Sequence, residues 1–149
     1  MSKLDLTRHE IREKALQALF PLDFNADLDK QAAIDHALAL DHYEIVSEDG
    51  QYLVPGYLDL LVGGVCGRKA ELDEIIKDHL GENWTLKRLA KVDVVIMRIA
   101  LFEMVYVSDV PNTVALNEAL ELTKKYSDDR SRKFVNGVLS NVMKEIDSK

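Results

Sequence analysis

The sequence holds one cysteine, three prolines and one tryptophan, and each scarcity removes a class of protein. A single thiol, Cys66, permits neither an intrachain disulfide nor a multi-cysteine zinc site, which points to a reducing, cytoplasmic location. Seven glycines and three prolines are too few turn formers for a many-stranded sandwich, so the expected fold class is all-α. No apolar run is long enough to span a membrane. The most hydrophobic stretch, 92–107, is broken by Asp93, Arg98 and Glu103, and residues 1–7 lack the apolar centre of a secretory signal. What is plentiful is apolar surface, 47% of 149 residues, enough to fill the core of one domain spanning 1–149.

The charge is uneven. The net value is −7, a sign that argues against a polyanionic partner. Residues 23–49, however, carry eight acids against Lys30 alone, so this stretch holds the whole excess and the remainder is neutral. Within that remainder two segments, 87–98 and 124–133, each keep a local excess of +3.

Thr7 followed by Glu10 is a capping-box pattern, and Ile11, Ala15, Ala18, Leu19 and Leu22 then form one apolar stripe, predicting a first helix from about Thr7 to about Phe24. Pro21, which lacks an N–H to bond the Gln17 carbonyl, is expected to kink or shorten its last turn. Asp27 is expected to cap a second helix with an acidic outer face, and a polar loop near Ser47 to Gly50 to precede a long third helix from about Pro55 to His79. Gly63 and Gly64 inside that helix predict close approach of another helix. A short helix starts at Asn83, and Asp93 is expected to cap a central buried helix, Val94 to Tyr106, that is apolar on almost every face. A sixth helix runs through about Tyr126, and Ser131 is expected to cap a seventh carrying Phe134, Val135, Val138, Leu139, Val142 and Ile146.

Chemistry is sparse. His9, His36, His42 and His79 fall on different predicted elements with no patterned partner, which makes them ordinary surface residues, and the glycines around Gly63 to Lys69 lack the spacing of a phosphate loop. Cys66, among apolar and glycine neighbours, reads as a small core residue. The basic features are better organised. Arg8 and Arg12 stand one turn apart and are expected to project from one side of the first helix. Arg130 and Lys133 flank the start of the seventh, where backbone N–H groups also favour a phosphate, and Phe134 beside them is a core residue or a platform for an unpaired base.

Val110-Pro111, then Val114-Ala115-Leu116-Asn117-Glu118-Ala119-Leu120, and then Ser131-Arg132-Lys133-Phe134-Val135-Asn136-Gly137-Val138-Leu139, resemble the C-terminal signature of the NusB family of bacterial transcription antitermination proteins. Arg98-Ile99-Ala100-Leu101-Phe102-Glu103, Val62-Gly63-Gly64-Val65 and Ala15-Leu16-Gln17-Ala18-Leu19-Phe20 extend the resemblance over essentially the whole chain. It implies a compact seven-helix fold of two packed helical subdomains, with no catalytic activity, no metal and no cofactor. It also implies binding of boxA-type single-stranded RNA from nascent ribosomal transcripts together with the NusE ribosomal protein, entry into the RNA polymerase elongation complex, and for some members homodimerisation. Carried over, the RNA contacts fall on Arg8, His9, Arg12 and Lys133. Where well-known members have a dense arginine run, this sequence has Arg8-His9-Glu10-Ile11-Arg12, interrupted by an acid, which shifts weight to the partner and to the 124–133 cluster. Two other readings stay open: a helical protein-binding adaptor or homodimer without RNA contact, and an RNA-binding accessory in ribosomal RNA processing.

Overall fold

The computed structural model describes residues 6–40 and 54–148, and among these every regular element is helical. The chain divides into two compact units, Met1–Cys66 and Gly67–Lys149.

In the first unit, α1 (Arg8–Phe24) opens on the expected capping box. Thr7 Oγ1 accepts from the Glu10 amide at 3.1 Å, and the Glu10 carboxylate accepts from the Thr7 amide at 2.9 Å. Losing such a cap costs about 1 kcal/mol. Pro21 does not stop α1: its carbonyl accepts from Asn25 N at 3.1 Å and closes the helix one turn later. Helix α2 (Lys30–Ala39) is capped by Asp29, which accepts from Ala32 N at 3.2 Å, and not by Asp27. Lys14 is buried, and its Nζ donates to the Ala37 carbonyl at 2.9 Å and to Gln17 Oε1 at 3.0 Å, so α1 satisfies a carbonyl in the last turn of α2.

The single long third helix is two. Helix α3 (Gly56–Gly67) ends before Arg68, whose backbone (φ −121°, ψ 18°) leaves the helical region, and α4 (Lys69–Lys77) starts beyond it. Gly63, Gly64 and Gly67 each weaken a helix by roughly 1 kcal/mol relative to Ala, and the break comes beside the last of them. The expected close approach of another helix is not seen at Gly63, where an added Cβ would meet only the tip of one flexible side chain, Lys30 Nζ, at 3.3 Å. That amine also pairs with Asp59 at 3.3 Å. Cys66 is exposed, correcting its assignment to the core. The loop 47–50 and His42 lie outside the described residues.

In the second unit, a 3-10 turn (Leu86–Arg88) replaces the expected short helix. It leads into α5 (Lys91–Tyr106), in which every residue from Asp93 to Met104 is buried. The cap position is Ala90, so Asp93 sits inside the first turn. Helices α6 (Asn112–Tyr126) and α7 (Asp129–Asp147) pack on α5 and on each other, burying Ala115, Ala119 and Leu122 of α6 and Val135, Val138, Leu139 and Val142 of α7. The cap of α7 is Asp128, not Ser131: its carboxylate accepts from Ser131 N at 2.7 Å. That bond, then the Ser131 side chain and the Arg130 charge, hold the Asp128 carboxyl below its ordinary pKa.

His79 joins α4 to α7. Its Nδ1 lies 2.7 Å from the Ile75 carbonyl and its Nε2 2.9 Å from Glu145 Oε2, the latter an ion-pair contact and not an aligned hydrogen bond. Both neighbours only accept, so the doubly protonated ring suits the site. Desolvation pulls the ring's pKa down, but the Ile75 bond, Glu145 and the Asp78 charge together raise it above the usual value. A raised histidine stabilises the fold fully below the unfolded pKa of about 6.5, and that contribution is lost as pH rises through the folded value. Glu145→Gln should therefore cost about 0.5 kcal/mol at pH 5.5 and nearly nothing at pH 9, read from urea midpoints. An equal loss at both values would exclude the charged ring.

Candidate nucleic-acid interface

The start of α7 and the segment before α5 build one cleft in the second unit. Trp84, Arg88, Leu89, Ala90 and Asp93 form one wall and Arg130, Ser131 and Phe134 the other, enclosing about 310 Å³. The extended Thr85 and the 3-10 turn after it carry Trp84 and Arg88 toward α7, and the Asp128 cap fixes the first turn that presents Arg130 and Phe134. The rings of Trp84 and Phe134 stand 5.6 Å apart at 51°, and Trp84 keeps 41% of its surface exposed. The Arg88 guanidinium lies 5.3 Å from the Trp84 ring centre and donates to the Asn83 carbonyl, which holds it at the rim. Inside the cleft Asp93 is only 4% exposed, and its Oδ1 has no hydrogen-bond partner.

This arrangement can do two things. The exposed Trp84 ring, inclined at 51° to that of Phe134, offers an apolar face on which a base can stack, a contact worth about 1–3 kcal/mol. Arg88 and Arg130 put positive charge beside it, and the first-turn amides of α7 add the favourable end of the helix dipole.

Of the residues singled out in the sequence, Arg130 and Phe134 meet in this cleft, and Phe134 is half-buried, a wall residue more than a core one. Lys133 is exposed on α7 next to them but does not line the cleft. Arg8 and His9 are exposed in the first unit, with the Arg8 guanidinium 3.6 Å from the Tyr57 ring centre. Arg12 requires correction. It is 4% exposed, so it does not project beside Arg8, and a guanidinium so enclosed cannot reach a phosphate without moving. Sequence reasoning missed Trp84, Arg88 and Asp93. The +3 excess over 87–98 was a signal, and the lone tryptophan three residues before it completed the pattern of an aromatic among bases. Among the described residues no group of histidine, cysteine or carboxylate side chains could hold a metal ion, and no helix is long and apolar enough to cross a membrane.

Fold and cleft together define an all-α protein with an aromatic, mixed-charge groove at a helix N-terminus. Residues 9–144 match the NusB family. The transcription antitermination protein NusB of Enterococcus faecalis is 81% identical over 148 residues, covering 99% of this chain and 96% of that protein. The NusB of Lactiplantibacillus plantarum is 51% identical, with 95% and 97% covered. Among solved structures, T. maritima NusB superposes with a TM-score of 0.78 at 28% identity over 97% of this chain and 94% of that one. A structure of antitermination factors NusB and NusE in complex with dsRNA gives 0.75 at 25% identity, with 94% and 99% covered. The chain belongs to the NusB family.

Proposed function

We propose that this chain acts in transcription antitermination as a non-catalytic, cytoplasmic RNA-binding domain, that it engages boxA-type RNA together with NusE for delivery to the elongating polymerase, and that the RNA enters the Trp84–Phe134 cleft. The observation that carries this reading is the pairing of an exposed aromatic platform with Arg88 and Arg130 at the capped start of α7. NusE and RNA both accompany a relative in the solved complex that shares the fold. Arg8 and His9 supply further exposed contacts in the first unit, and Lys133 a third beside the cleft. Residues 27–41 hold four acids against Lys30 alone, with Asp27 and Asp29 exposed before α2, so this stretch repels a phosphate backbone and the RNA is expected to leave it uncrosslinked.

Trp84 is the only tryptophan, so its fluorescence reports on the cleft alone. Titration with boxA-type RNA in the presence of NusE should quench this emission in parallel with the rise in anisotropy of labelled RNA. RNA that binds without touching the Trp84 signal would place the interface elsewhere. No binding with or without NusE would favour the protein-binding adaptor.

A further inference from the structure

We propose that the end of α5 away from the cleft carries a second docking surface, and that it takes an arginine presented by a basic segment of another protein. Ile75 of α4, Met104 and Val105 of α5 and Ile146 of α7 wall a pocket of about 400 Å³ in the second unit. Met104 lies about three helical turns beyond Asp93 of the cleft, a rise of about 16 Å, so the two places can be filled together. The floor is open to solvent. Val105 keeps 41% of its surface exposed although it is apolar, and an incoming side chain that covers it removes that surface from water.

The rim fixes the charge of the occupant. Asp78 and Glu145 are exposed carboxylates, with 65% of the Glu145 side chain in water, and they outnumber the one cationic side chain of the lining, His79. The His79 ring already lies 2.9 Å from Glu145 Oε2, but a carboxylate accepts up to about four hydrogen bonds, so Glu145 can meet a further donor. An acidic segment is repelled here, and a wholly apolar one strips water from two carboxylates without replacing its bonds. Arginine meets both demands. Its stem can cover Val105 and Ile146 while its planar fork of donors reaches the rim, whereas lysine offers a more strongly hydrated point charge. Carboxylates this exposed hold a free small cation weakly, because it keeps its water; a side chain carried in by a protein surface has that water excluded around it.

The test records amide spectra of the isotope-labelled full chain during titration with the blocked peptide acetyl-Gly-Leu-Arg-Leu-Gly-amide. The same peptide with citrulline or glutamate in place of arginine, and the free guanidinium amine agmatine, are titrated alongside. The arginine peptide should shift the amides of 75–79, 104–106 and 142–146 and leave 128–134 in place, with a Kd of about 1 mM. Citrulline keeps the shape without the charge and should bind about fivefold more weakly, and glutamate should not bind. Glu145→Gln should shrink the preference for arginine over citrulline to about twofold, a change that a loosened fold would not produce. Val105→Lys, which brings a like charge to the exposed floor, should abolish the shifts while the remaining amides keep their positions. No shift at about 10 mM peptide, or citrulline bound as tightly as arginine, would overturn the proposal. Agmatine bound as tightly as the peptide would make this a site for a free small cation, and shifts of the same amides on concentrating the chain alone would make it a contact between two copies. Either result removes the docked segment.

Discussion

Replacing Arg98 with methionine should lower the unfolding free energy by about 3 kcal/mol, among the largest single effects expected in this chain. Arg98 is buried in α5, and it grips Asp73 of α4 with two parallel bonds, Nε to Oδ1 at 2.7 Å and Nη2 to Oδ2 at 3.1 Å. Methionine fills the stem of the arginine but strands the Asp73 carboxylate, which has only 21% of its side-chain surface in water. The cost comes from that stranded charge more than from the lost bonds. Adding Asp73→Leu to the single variant should therefore restore part of the stability, because the stranded carboxylate is removed with its partner. Urea unfolding of the single and double variants measures both terms. A loss below 1 kcal/mol for Arg98→Met would mean that the pair is dispensable.

Phe134→Ala should weaken RNA binding by about 2 kcal/mol, roughly thirtyfold, without changing its dependence on salt. Stacking releases no counterions, whereas a lost phosphate contact removes about 0.7 from the slope of log affinity against log salt on a single strand. Arg8→Ala and Lys133→Ala are expected to flatten the slope by that amount each, while Arg12→Ala should leave it alone and act on stability, in keeping with its burial. The two kinds of variant thus separate the base platform from the backbone contacts in one set of titrations. A slope that changes with Phe134→Ala and holds with both basic variants would reverse these assignments.

The parts of the fold legible in the sequence are those set by local rules. Thr7 and Glu10 lie three residues apart and complete their capping box with no help from the rest of the chain. The buried character of α5 was plain because no face of it is polar. Caps were harder wherever several candidates crowd together. Asp27 competes with Asp29, and Ser127, Asp128, Asp129 and Ser131 all compete at α7, where only side-chain geometry decides for Asp128. Long cationic side chains misled for another reason. Lys14 and Arg12 carry apolar stems that bury readily once a carbonyl or other partner meets the charged end, and for Lys14 that partner lies 23 residues away. The cleft was half legible for the same cause. Arg130 and Phe134 are close in sequence, but Trp84 meets Phe134 only when the chain has folded back across fifty positions.

The run of twelve consecutive buried residues in α5 also limits how this protein can diverge. A helix with a solvent face absorbs neutral change there; this one has none over that span. A volume gained or lost between Asp93 and Met104 must be answered by a matching change in a neighbour such as α6 or α7. Drift in this helix should accordingly proceed by compensated pairs, while the exposed surface of α2 accumulates single substitutions.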